Sequence, residues 1–170
     1  MKIEILKYDP EWVRRFSEIR IVLESTFKSI SPEIEHVGST SVPGLDSKPV
    51  IDILIGVKNI NTADQMIPEM VKLGYEYVSE YEKVLPERRY FKKKEAEHLH
   101  TVVCGSEFWN RLILFRDYLR LNKNVRNEYS KIKRELSQKE WNSSNDYAFA
   151  KTDFIRKIEK RAKVYFNRKG

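Results

Sequence analysis

The residues best suited to chemistry fall in one stretch, 36–57, which reads HVGSTSVPGLDSKPVIDILIGV. Gly38 can take backbone angles that a residue with a Cβ avoids, so it suits an abrupt exit from a strand. Ser39, Thr40 and Ser41 follow with hydroxyls and backbone N–H groups where a helix can begin, an arrangement that attracts phosphate oxygens. Lys48 offers counter-charge, and so do Arg88 and Arg89 further on, Arg by bidentate contact. Two adjacent arginines on a strand point to opposite faces, so at most one of them enters a cleft. Asp52 lies inside the apolar run Val50-Ile51-Asp52-Ile53-Leu54-Ile55. A carboxylate there is costly to bury without a partner, which places Asp52 at a lined cleft near the Gly-Ser turn. It is the candidate ligand for magnesium, which often uses one or two carboxylates together with phosphate and water.

The three histidines, His36, His98 and His100, all fall in the segments that read as strands. Alternation puts His98 and His100 on one face, with Leu99 opposite. With Asp52 they form a candidate site for zinc, manganese or another divalent ion, to which His36 is a further candidate ligand. Alternatively, His98 or His100, His100 foremost, serves as a general acid or base toward phosphate beside Asp52. Packed, hydrogen-bonded strand histidines and a structural Asp52 are the plainer alternatives.

The elements that must position these residues follow from periodicity. Trp12, Phe16, Ile19, Leu23, Phe27 and Ile30 recur at threes and fours, one helix face, with Asp9-Pro10 as its start. A second helix runs to about Leu73, where Gly74 is a natural stop; Pro68 inside it predicts a kink or a division. Short strands follow from Tyr75, Arg88 and His98, the last two joined by a turn from Lys92 to Glu97. Beyond Gly105-Ser106 the pattern is helical: Phe108, Leu112, Phe115 and Leu119 mark one helix, and Val125, Tyr129, Ile132 and Leu136 a second. A last helix starts at about Asp146. The expected architecture is a single domain over residues 1–170: an α/β (α+β) core over 1–104 with a mixed sheet of four or five strands flanked by helices, and a helical section over 105–170 packed on it.

HVGSTSVPGLDSKPVIDI, supported by Tyr8-x3-Trp12, RRYF, HLH, FRDYLR and Tyr147-x3-Lys151, resembles the GrpB family over nearly the whole chain. That domain also occurs as the C-terminal accessory part of some dephospho-CoA kinases, and its fold is similar to the DNA polymerase beta-type nucleotidyltransferases. The resemblance implies a nucleotidyltransferase-like fold, a Gly-Ser turn that holds a nucleotide's phosphates, and acids that hold magnesium. The acid motif here reads Asp52-Ile53-Leu54, with leucine where a second carboxylate would stand, so one Asp remains where a two-metal site needs more. Two functions from different classes follow: a nucleotidyltransferase-like domain for a nucleotide or other phosphorylated small molecule, or a non-catalytic accessory or folding-assistance module.

Composition sets the outer limits. With 170 residues, 41% hydrophobic and 34% charged, the chain suits a soluble globular domain. No apolar run reaches the roughly 20 residues that span a bilayer, the first residues lack a secretory signal's apolar segment, and the single cysteine makes no internal disulfide. The expectation is a cytoplasmic protein without a membrane partner. Of the 32 Lys and Arg, 17 lie in residues 105–170 against 8 acids. This basic excess reads as a solvated helical face that steers anions and binds polyanions weakly; RNA recognition is the least favoured reading.

Overall fold

The computed structural model describes residues 1–94 and 96–169. Glu95, inside the turn expected between Lys92 and Glu97, and Gly170 lie outside the described residues. The chain runs α1 (Glu11–Thr26), β1 (Glu33–Val37), β2 (Ile51–Val57), α2 (Ile60–Lys72), β3 (Glu76–Tyr77), β4 (Arg89–Lys93), β5 (Glu97–Val103), then α3 (Glu107–Leu121), α4 (Lys123–Ser137), α5 (Ser144–Ala150) and α6 (Thr152–Lys169). The five strands form one mixed sheet in the order β1-β2-β5-β4-β3. Only β2 and β5 pair in parallel; the other neighbours are antiparallel. No helix among the described residues is long and apolar enough to cross a membrane.

Alternation along the central strands builds two different layers. Ile51, Ile53 and Ile55 of β2 join Phe91 and Leu99 on one face, where the apolar stripe of α1 (Trp12, Phe16, Leu23) and that of α2 (Ala63, Met66, Met70) cover them. Val37, Leu54 and Val102 look the other way and pack under Phe108 and Trp109 of α3. A third cluster, Val42, Leu45, Phe115, Leu119, Tyr129 and Ile158, ties α3, α4 and α6 to the loop after β1. The helical section thus closes over only part of the second sheet face, and polar side chains occupy the remainder.

Two expectations change at the element level. Pro68 neither divides nor ends α2, which continues to Lys72 and stops at Gly74, whose φ is 89°. The helix expected from Asp146 onward is two helices, α5 and α6, with the break at Lys151. Ser143 caps α5 by accepting from the Asp146 N–H. The break turns Lys151 out of a continuous helical face and into the cavity described next.

Candidate functional site

The strand register brings three of the candidate residues together. Asp52 of β2 lies opposite His98 of β5, and Leu54 lies opposite His100. Tyr90 of β4 completes the row beside His100. Asp52 Oδ1 stands 3.7 Å from His98 Nδ1 and 3.8 Å from His100 Nε2. These side chains form the floor of a cavity of about 390 Å³. Ser39, Ser47, Lys48 and Val50 wall it on one side, Lys133 of α4 and Tyr147 and Lys151 at α5 on another, and Tyr81 with Arg88 on a third.

Gly38 leaves β1 with φ of 71°, and a three-residue 3-10 turn, Ser39–Ser41, follows. A short helix was expected here; the turn that forms is too short to build a helix dipole, and the Ser41 N–H is already given to the Gly38 carbonyl. The three hydroxyls separate. Ser39 faces the cavity and its Oγ accepts from Lys133 Nζ at 3.0 Å. Thr40 is fully buried and donates to the Val50 carbonyl, while Ser41 donates back to Gly38. Of the phosphate-binding candidates, Ser39, Lys48 and Arg88 line the cavity, and Thr40 and Ser41 brace the turn instead.

Arg88 and Arg89 diverge as strand geometry requires. Arg88 lies over Tyr90 (5.0 Å), Tyr81 (5.7 Å) and Phe108 (5.7 Å), and its terminal nitrogen approaches His100 Nδ1 at 3.3 Å. Arg89 turns to the other sheet face, where it pairs with Asp64 of α2 at 2.5 Å and donates to the Pro86 carbonyl. Arg89 is therefore a structural ion pair and leaves the phosphate-binding set. His36 leaves the metal set for the same reason. It lies opposite Ile53, stacks on Phe16 with ring centroids 4.7 Å apart, and shares a hydrogen bond with Thr40 Oγ1 at 2.9 Å. Burial holds its imidazole down at about 4, so it is neutral.

Arg88 decides the state of His100. A guanidinium only donates, so Nδ1 of His100 must accept and the ring proton sits on Nε2, toward Asp52. Burial and the Arg88 charge outweigh the pull of Asp52 and hold the imidazole below its ordinary value. Burial pushes the Asp52 carboxyl up, but attraction from His100, His98 and Lys151 outweighs it, and Asp52 titrates below the usual range. The arrangement is an ionised Asp52 that faces an Nε2–H donor.

As protonated here, His100 is not set to ligate a divalent ion. To ligate through Nε2, His100 would have to move its proton to Nδ1, against the Arg88 donor. Among the described residues no three His, Cys, Asp or Glu side chains group so as to hold a metal ion. The place of a second carboxylate is also closed: Leu54 is fully buried among Val37, Val102, Phe108 and Trp109, where an acid would be desolvated.

Lys133 of the helical section was not singled out by type or spacing. Lys133 is only 2% exposed, lies 4.4 Å from the Tyr129 ring centroid, and is driven well below its ordinary range by burial and by Lys151. Lys151 lies 4.5 Å from the Tyr147 ring centroid, with Lys48 at 5.5 Å from the same ring. Burial and Lys48 bring Lys151 down to about 8, against the pull of Asp52. The Tyr147 hydroxyl is buried without a hydrogen-bond partner among the described residues, and its pKa is pushed up to about 12 by burial. Tyr147-x3-Lys151, one helical turn, was marked only as a supporting motif of the family resemblance, without a site role. Lys133 carried no such mark among the basic residues around it.

The motif FRDYLR serves the turn from behind. Arg116 is buried and donates to the His36 carbonyl at 3.0 Å and to Glu35 at 2.6 Å. Arg120 donates twice to the Ser41 carbonyl, at 3.0 and 2.9 Å. The two arginines hold both ends of the Gly-Ser turn on α3.

With this geometry in view, the comparisons with known proteins are direct. The sequence profile of the GrpB protein family matches residues 2–161. The chain belongs to the GrpB family. A GrpB protein of Enterococcus faecalis, solved by crystallography, is 37% identical and superposes with a TM-score of 0.87 over 96% of this chain and 99% of that one. A UPF0157 protein of Halalkalibacterium halodurans is 38% identical over 161 residues, 94% of this chain and 82% of that protein. A dephospho-CoA kinase of Mycolicibacterium paratuberculosis is 24% identical over 186 residues, which cover 94% of this chain but 46% of the kinase.

Proposed function

We propose that this GrpB domain binds a phosphorylated ligand, a nucleotide or another phosphate ester, in the cavity between the sheet and α4–α5. One observation carries the reading: Lys48, Arg88, Lys133 and Lys151 converge on a space whose lining holds a single carboxylate, Asp52. Lys151 is crowded by Lys48 and crowds Lys133 in turn, and with Arg88 in the same lining the space favours an anion that can neutralise them. Ser39 and the Tyr147 hydroxyl, which has no hydrogen-bond partner among the described residues, add donors to the same lining. The other basic residues of α4 and α6 steer anions toward the mouth and hold polyanions weakly.

The reading stops at binding. Leu54 fills the place of the second acid with hydrocarbon, and His100 faces Asp52 through a protonated nitrogen, so metal-dependent nucleotidyl transfer gains no support from these residues. The same two residues favour the accessory-module reading, in which the domain keeps its ligand without turning it over. The match to the dephospho-CoA kinase supports a domain that serves a partner, and it makes CoA-type phosphates natural members of a ligand panel.

Calorimetry with ATP, GTP, CTP, CoA and dephospho-CoA tests the proposal. Wild type binds at least one member, and Ser39→Ala binds it more weakly. No binding across the panel overturns the reading.

A further inference from the structure

Lys133 is buried and Lys151 is partly buried, and both reach the space where the phosphate would be held. Lys133 comes from the middle of α4 and donates to Ser39, the residue that follows the Gly38 exit. Lys151 comes from the break between α5 and α6 and lines the same cavity as Asp52, whose carboxylate it attracts. Neither has a carboxylate of its own within ion-pair distance among the described residues, whereas Arg134, the neighbour of Lys133, takes Asp46. A buried ammonium without a counter-ion is costly, and a phosphoryl group is the ligand that would relieve two at once. On the sheet side the single acid already faces an imidazole N–H, and the next inward position is Leu54.

We propose that the cavity takes its phosphoryl or diphosphoryl group as the metal-free anion, with Lys133 and Lys151 supplying the charge that a divalent ion supplies in sites with paired carboxylates. The inference rests on the phosphorylated-ligand reading above and deepens it. It assigns two residues from the helical section to the phosphate. It also predicts that magnesium competes for the ligand, since a phosphate already neutralised by magnesium gains less from two ammonium groups.

Equilibrium titration of the full chain with inorganic pyrophosphate, once in excess EDTA and once in excess magnesium, separates the possibilities. The expected result is binding in EDTA that is equal to or tighter than in magnesium. Lys151→Met weakens binding in EDTA at least tenfold, and Lys151→Arg keeps most of it. Lys133→Met is the companion variant, with a thermal melt as its control for folding; if it does not fold, the wild-type comparison and the Lys151 variants still decide. Binding that is tighter in magnesium than in EDTA, or that is unchanged in Lys151→Met, overturns the inference and leaves the phosphorylated-ligand reading in place. If pyrophosphate and every ligand of the calorimetric panel fail to bind in either buffer, both readings fall.

Discussion

Gly38 lies so close against the Asp52 side chain that a Cβ has no room on it. A Cβ built on Gly38 would stand 2.9 Å from the Asp52 Cβ and 3.0 Å from its Cγ, at a φ of 71° that L side chains rarely adopt. The glycine of the Gly-Ser turn is therefore set by the acid on the next strand. Gly38→Ala forces the carboxylate aside and strains the turn, at a cost of about 2–4 kcal/mol in sum. Denaturant unfolding measures it. Because Asp52→Gly removes both the carboxyl and the Cβ from the contested space, Gly38→Ala should cost less in that background than in wild type; equal costs in both would mean the clash is not the cause.

Ligand affinity should fall as pH rises through about 8. Lys151 is brought to about 8 by burial and by Lys48, and a bound anion raises it again, so binding takes up a proton in this range. Phosphate itself only gains negative charge with pH, so its own titration has the opposite sign. From pH 7.5 to 9 the affinity for pyrophosphate drops severalfold in wild type. Lys151→Arg, charged throughout, removes the Lys151 part of that drop.

His36 predicts a loss of stability in acid. The unfolded imidazole titrates near 6.5 and the folded one at about 4, so the unfolded state binds more protons between those values. The stabilisation is complete above pH 6.5 and is lost as pH falls through 4, amounting to about 3 kcal/mol at most. Thermal melts from pH 7 to 4 should show this component in wild type and not in His36→Phe, which keeps an aromatic ring against Phe16.

Arg116→Met should destabilise the fold by about 1–3 kcal/mol, because it leaves the His36 carbonyl and Glu35 without their donor behind the turn. The same substitution at Arg14, whose exposed side chain pairs with Glu11 and Glu18 on α1 in contact with solvent, should change stability far less. Parallel urea titrations compare the two.

Where a local rule decides the outcome, the sequence was readable. The helix stripe from Trp12 to Phe27 packs on the sheet as its period requires, and alternation correctly divides Arg88 from Arg89 and joins His98 with His100. His36 was placed with them because its strand face was legible but not which side of the sheet that face would meet; the register with Ile53 decides that. Pro68 does not divide α2, one of the two outcomes that the pattern predicts there. Lys133 is the clearest gap. Nothing local separates it from the neighbouring basic residues of α4, and only the packing of α4 beside the Gly-Ser turn, 94 residues away in sequence, buries it at Ser39. Lys151 was visible as part of a spaced pair, but the helix break that turns it inward was not.

The central claim is that an anionic phosphate sits among Ser39, Lys133 and Lys151, and a crystal structure grown with pyrophosphate in EDTA tests it most directly. The account predicts phosphoryl oxygens within hydrogen-bond distance of the Ser39 hydroxyl and both lysine Nζ atoms, with Arg88 still held by His100. Pyrophosphate found only on the exposed basic face of α6, with the cavity occupied by water, would contradict it.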